Sequence, residues 1–238
     1  MANKPSYVSG PDPDFPRLDE SVYFPFRDPI GWDGDIVAVG GNLSPGMLLS
    51  AYEQGIFPWY NPGDPVLWQS PDPRCVIFPD KLHVSVSMKK ILKARRFDIK
   101  FDNDFFGTIS GCAGMYRPGQ GGTWITQDII DGYMELHQLG WAHSAEAWFD
   151  GELAGGCYGV LMGKAFFGES MFSKKANASK AAFLSLAAML FQNGLAFIDC
   201  QVPTPHLLSM GGEVMPRKNF LKLLRQNKIS RSQIPVSL

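Results

Sequence analysis

No stretch of the chain approaches the roughly 18 consecutive apolar residues that a membrane span requires, although 45% of its 238 residues are hydrophobic. The opening residues, with Lys4, Pro5 and Ser6, lack the apolar middle of a secretory signal, so a cytoplasmic protein with no membrane partner is expected. Cysteine is scarce. Cys75, Cys112, Cys157 and Cys200 lie tens of residues apart with no C-x-x-C pair, which argues against a disulfide framework or a zinc knuckle and for buried apolar thiols. His83, His137, His143 and His206 show no ligand spacing, so neither a metal nor a cofactor is expected. G-x-S-x-G, H-E-x-x-H and Walker patterns are missing as well, and the run Gly119 to Gly122 follows no strand that would make it a dinucleotide loop.

Charge is also sparse, at 19% against roughly 25% in an average domain, and the formal net charge is −1. That total conceals a segregation. Lys89, Lys90, Lys93, Arg95, Arg96 and Lys100 face a single acid, Asp98, and Arg217, Lys218, Lys222, Arg225, Lys228 and Arg231 face none. The two segments therefore carry +11 and the remaining chain −12. Folded onto one face, they would form a footprint for a polyanion; separately, each is the solvated side of an amphipathic helix.

Twelve of the 18 prolines lie in the first 73 residues. Because proline fixes φ and donates no backbone hydrogen bond, Pro5 to about Ile30 is expected to be an extended arm. A short strand over 36–39, a helix capped by Ser44-Pro45 and ending at Gly55, and a rigid aromatic loop to Pro73 follow. We place a domain boundary there, dividing a proline-rich N-terminal domain (1–73) from a larger mixed α and β domain (74–238). The second part reads as a strand at 75–78, a basic helix at 87–96, a strand at 97–101, helices at 102–112 and from Thr126 to Gly140, and a three-stranded meander over 143–168. A helix over 177–193 that is apolar nearly all round must be buried. A strand ending in Asp199 and Gln201 and a basic helix over 217–227 complete the chain.

Period-2 alternation places Asp199 and Gln201 on one side of their strand, opposite Ile198 and Cys200. A carboxylate there needs a donor, and the Gln201 amide is one candidate; the same pair also fits a purely structural hydrogen bond. Glu169 ends the last meander strand, either exposed or facing the same cleft.

Several segments together resemble the bacterial leucyl/phenylalanyl-tRNA–protein transferases. They are Gly40-Gly41-Asn42-Leu43-Ser44, Gly55-Ile56-Phe57-Pro58-Trp59-Tyr60, Trp68-Gln69-Ser70-Pro71-Asp72-Pro73-Arg74, Gly122-Thr123-Trp124-Ile125-Thr126, Gly168-Glu169-Ser170-Met171-Phe172-Ser173, Asn177-Ala178-Ser179-Lys180 and Ile198-Asp199-Cys200-Gln201. The match runs in order from about residue 35 to 225. It implies a small N-terminal domain on an acetyltransferase-like (GNAT-type) α/β domain. The implied reaction moves Leu or Phe, less readily Met, from aminoacyl-tRNA to the α-amine of proteins beginning with Arg or Lys, marking them for degradation.

The resemblance further implies that Trp59 and Trp124 hold the 3′-terminal adenosine, and that Cys157, Phe166, Phe183, Leu186, Leu190 and Ile198 line the aminoacyl pocket. Cys157 stands where the family carries Met. Gln201 orients the attacking amine, Asp199 fixes the Gln amide with a proton relay as an option, and Glu169 contacts the acceptor. Lys89, Lys90, Lys93, Arg95 and Arg96 grip tRNA phosphates. A monomer is expected. Two alternatives stay open: an acetyl-CoA-dependent acetyltransferase, whose R/Q-x-x-G-x-G/A loop is not found in residues 168–177, and a non-catalytic tRNA-binding module.

Overall fold

The computed structural model describes residues 8–115 and 123–231. The proline-rich arm that opens it makes few backbone ladders, and side chains hold it instead. Phe24 N donates to Ser50 Oγ and Phe26 N to Gln54 Oε1. Ser44 also belongs to this set. It takes the extended N-cap conformation before Pro45, yet its Oγ accepts from Leu18 N rather than from the helix it precedes.

Strand β1 (Ile36–Val39), helix α1 (Pro45–Glu53), β2 (Phe57–Pro58) and β3 (Leu67–Gln69) follow. The segment read as a loop thus contains two strands, which join the first in a three-stranded sheet of order β1-β3-β2. They are too short to show periodicity. Gly55 ends α1 at φ 74, and a Cβ there would lie 2.5 Å from Leu221 Cδ2, so glycine is required both for the turn and for the close approach of the C-terminal helix.

Next come β4 (Arg74–Ile77), α2 (Val86–Lys93), β5 (Asp98–Phe101), α3 (Phe105–Ala113) and α4 (Gln127–Gln138). Side-chain oxygens of Ser85, Asp104 and Thr126 cap the three helices, each satisfying an otherwise orphaned N–H. The meander is β6 (Ala142–Phe149), β7 (Glu152–Met162) and β8 (Ala165–Ser173), followed by α5 (Ala178–Gln192), β9 (Phe197–Gln201), α6 (Pro205–Leu208), β10 (Glu213–Met215) and α7 (Arg217–Gln226).

Seven of these strands form one mixed sheet of order β10-β4-β9-β8-β7-β6-β5, an α+β architecture of the kind expected. Every pairing is antiparallel except β8 with β9. A parallel pair needs a crossover, and α5 supplies it. One face of the sheet packs on α1, α3, α4 and α7 through residues such as Leu48, Ile109, Tyr133, Tyr158, Phe167 and Phe220. The other packs on α2 and α5 through Met88, Phe166, Phe183, Leu186 and Ile198. The near-uniform apolarity of α5 reflects its place in the second layer. All four cysteines are buried and unbridged.

The two basic helices therefore belong to opposite layers, and they differ in kind. Lys89, Lys90, Lys93, Arg95 and Arg96 are all exposed, and none forms an ion pair within the described residues. In the second cluster Arg217 is buried and donates to the carbonyls of Trp32, Gly34 and Ser70, while Arg231 pairs with Glu53. Neither alternative offered for the second cluster, an anion footprint or a solvated helix face, describes Arg217 or Arg231. Two of the last six hold the N-terminal arm in place.

Candidate active site

The parallel pairing of β8 with β9 runs only from Ala165↔Phe197 to Phe167↔Asp199. Past that point both strands continue unpaired with each other, and their ends line a cavity of about 460 Å³, within the size range of small-molecule sites. Gly168, Glu169, Ser170 and Met171 come from β8, and Cys200, Gln201 and Val202 from the end of β9.

Two β-bulges aim the polar groups. On β8, Tyr158 pairs with Ser170 and Gly159 with Gly168, so Glu169 is the extra residue. It switches the strand's alternation: Phe167 and Phe172 face the same layer although five residues apart. On β9, Cys75 pairs with Gln201 and Val76 with Asp199, leaving Cys200 extra. Ile198 and Cys200 do face the α5 layer, as alternation predicts. Gln201, however, sits at φ 62, in the left-handed region that costs a non-glycine residue about 1 kcal/mol or more. Bulges commonly re-aim side chains beside functional sites.

Glu169, at 9% exposure, is the hub of the polar cluster. Its Oε1 accepts from Tyr52 Oη at 2.8 Å and Gln201 Nε2 at 2.7 Å, and its Oε2 contacts Tyr133 Oη at 2.9 Å. The Tyr52 and Tyr133 hydroxyls also hydrogen-bond to each other. Three oxygen–oxygen contacts close a ring, and two phenols provide only two protons. Both are donated to the carboxyl, by Tyr52 to Oε1 and by Tyr133 to Oε2. Burial pushes the carboxyl up from its ordinary 4.5 to about 7, against the lowering effect of its hydrogen bonds from Tyr52, Tyr133 and Gln201. Burial likewise raises both phenols well above their usual range.

Asp199 is fully buried and is held by Arg74 rather than by the Gln201 side chain. Arg74 Nε donates to Oδ1 at 2.9 Å and Nη2 to Oδ2 at 2.6 Å. Oδ1 also accepts from the backbone N–H of Gln201 at 2.9 Å. The expected partnership between the Asp199 carboxylate and the Gln201 amide is thus corrected: the amide goes to Glu169. Asp199 takes the backbone instead. Glu169 in turn has both oxygens engaged within the protein.

Trp59 and Trp124 both line the cavity. Trp59 is fixed at the backbone, its N donating to Leu67 O and its O accepting from Gln69 Nε2. Of the glycine-rich segment 114–122, the part from residue 116 lies outside the described residues. Cys157, Phe166 and Phe183 line the cavity and belong to one buried apolar cluster. Leu186, Leu190 and Ile198 are buried in the same layer but are not on its wall. Burial also pushes the Cys157 thiol far up, so it acts as a small apolar side chain. Among the described residues no three His, Cys, Asp or Glu side chains converge as a metal site.

Sequence reasoning missed Arg74, Tyr52 and Tyr133. Arg74 stood inside a quoted motif without a role, and Tyr52 and Tyr133 fell within expected helices without one. The available signal was chemical: a buried phenol or guanidinium must find a partner.

The family described as leucyl/phenylalanyl-tRNA protein transferase matches residues 76–225, and the N-terminal domain described for it matches residues 41–72. Relatives named leucyl/phenylalanyl-tRNA–protein transferase include one from Aromatoleum aromaticum, 50% identical over 87% of this chain and 84% of that one. Another, from Nitratidesulfovibrio vulgaris, is 47% identical over 91% and 94%. A third, from Myxococcus xanthus, is 52% identical over 79% and 81%.

Proposed function

The chain belongs to the leucyl/phenylalanyl-tRNA–protein transferase family of aminoacyltransferases, and from that premise we propose that it transfers Leu or Phe, less readily Met, from aminoacyl-tRNA to the α-amine of proteins beginning with Arg or Lys. The observation that carries the reading is the composition of one cavity, whose wall combines apolar Cys157, Phe166 and Phe183, polar Glu169 and Gln201, and the aromatic pair Trp59 and Trp124. An aminoacyl ester has these three parts, a side chain, a reacting carbonyl and a nucleobase.

The chemistry asked of such a site is modest. An α-amine of pKa near 7.7–8.0 is roughly a tenth neutral at pH 7, a cost of about 1–1.5 kcal/mol, and the ester is already activated. Orientation supplies the rest, since well-placed intramolecular reactions gain about 7–11 kcal/mol. Gln201, whose amide does not titrate near neutrality, orients the amine. Glu169 is the only acidic side chain on the described cavity wall, and in its ionised form it favours a cationic acceptor. A pocket of this kind separates substrates differing by one methylene by only about 1–3 kcal/mol, so preference among Leu, Phe and Met is graded, and Cys157 leaves more room than the family's Met. Stacking on the tryptophans contributes about 1–3 kcal/mol per base. The exposed bases of and just after α2 contact tRNA phosphates.

The same proposal includes a division of the chain at residue 73, a GNAT-type fold for the larger part, a monomeric cytoplasmic enzyme and a role in marking proteins for degradation. The test is transfer of labelled Leu from Leu-tRNA to a peptide beginning with Arg, with acetyl-CoA as the competing donor. Labelled dipeptide at the N-terminus is the expected product. Acetylation of the peptide without leucine transfer would overturn the reading.

A further inference from the structure

We propose that Arg74 is a positioning residue for the transfer reaction, acting through Asp199 to hold the backbone of Gln201, and that Asp199 is a clamp rather than the acceptor of the amine's proton. The inference rests on the transferase reading above. Arg74 is fully buried, and its guanidinium is restrained from every direction. Two nitrogens grip the Asp199 carboxylate, Nη1 donates to Gly55 O at 3.1 Å, and the rings of Phe57 and Phe220 lie 4.9 and 4.4 Å from its carbon. The planar fork matches a carboxylate in a way a lysine ammonium cannot.

What the pair holds is Gln201. Asp199 Oδ1 accepts the Gln201 N–H just where that residue adopts φ 62 after the Cys200 bulge. Without an acceptor placed there, the strained backbone has an unsatisfied buried N–H and no reason to keep its conformation. With it, the Gln201 side chain reaches Glu169 at 2.7 Å. Both Asp199 oxygens are bonded to a guanidinium that does not deprotonate in proteins. Asp199 is not on the cavity wall, so its oxygens face Arg74 and the Gln201 backbone rather than a bound amine. The geometry suits a fixed anion.

The test uses the full-length protein, with kcat and KM for Leu-tRNA and an Arg peptide, thermal midpoints and amide hydrogen exchange. In the double variant Arg74→Gln/Asp199→Asn the charges vanish, while a side-chain hydrogen bond and an acceptor for the Gln201 N–H remain. We expect its kcat to stay within about tenfold of wild type, whereas Asp199→Ala loses about a hundredfold or more with KM for Leu-tRNA changed by less than about twofold. A folded double variant as inactive as Asp199→Ala would overturn the proposal, because the charge itself would then be the chemistry. Should the double variant fail to fold, Arg74→Lys decides: kcat about tenfold lower at unchanged KM supports the clamp, and wild-type kcat sinks it. Exchange at the Gln201 amide reads the clamp independently of activity. Protection in the wild type that falls about tenfold in Arg74→Lys is expected, and equal protection refutes it. A wild-type protein that transfers no leucine would refute the transferase reading alone, leaving the exchange result to judge Arg74.

Discussion

Replacing Glu169 by Gln should reverse an ordinary expectation and make the protein more stable at high pH. The folded carboxyl titrates at about 7 instead of 4.5 because it is buried. Between those values the folded state keeps a proton that the unfolded chain has released, so stability falls as pH rises through the window. At about 1.36 kcal/mol per unit, the full penalty is about 3 kcal/mol, most of it falling between pH 5 and pH 8. Gln keeps the size and shape of the side chain: its Oε1 can accept from Tyr52 and Gln201 where Glu169 Oε1 does, and its amide takes the place of the Oε2 that accepts from Tyr133. It cannot ionise. The variant should therefore track the wild type near pH 5 and exceed it by about 2–3 kcal/mol more at pH 8, a relative shift of about 1 M in urea midpoint. Urea denaturation of both proteins at pH 5, 6, 7 and 8 is the assay. Parallel curves, with the same difference at every pH, would show that burial does not hold the proton on Glu169 in the folded protein.

Gln201→Ala should lower leucine transfer by about two orders of magnitude or more while leaving the thermal midpoint within a few degrees, since it removes orientation rather than core; near-normal transfer would dismiss Gln201. Trp59→Ala should raise KM for Leu-tRNA roughly 5- to 150-fold, the equivalent of about 1–3 kcal/mol of stacking, and no change would place the adenosine elsewhere. The triple change of Lys89, Lys90 and Lys93 to Ala should weaken tRNA binding and reduce the log–log salt slope by about 2–3, a slope that stays put if the cluster is merely a solvated face. Arg217→Ala should behave oppositely: the three carbonyls it serves lose their donor, the thermal midpoint drops by roughly 6–12 °C for about 3 kcal/mol, and the salt slope is unaffected.

The contrast between Lys89 and Arg217 shows where sequence stops being informative. Both sit in acid-poor clusters on amphipathic helices, and charge counting treats them alike. Only the tertiary fold places carbonyls from residues 32, 34 and 70 around one of them. Elements long enough to show a period were legible: the meander, the buried α5 and the helices capped by Asp104 and Thr126. Strands β2 and β3 were not, because two or three residues carry no period and proline-rich sequence favours a loop reading. Within the site, Asp199, Gln201 and Glu169 were all nominated, yet their pairing came out differently for one physical reason. Alternation assumes an unbroken ladder, and each of the two strands carries one extra residue, Glu169 on β8 and Cys200 on β9. A bulge leaves no mark in composition or periodicity, since it is defined by the partner strand. The first turns Glu169 toward two tyrosines from distant helices, and the second turns Gln201 away from the Asp199 side chain and toward Glu169. The carboxyl that burial pushes up is therefore the one that lacks a cation, and the one held by Arg74 fixes the backbone of Gln201, an assignment that follows from the register of the sheet.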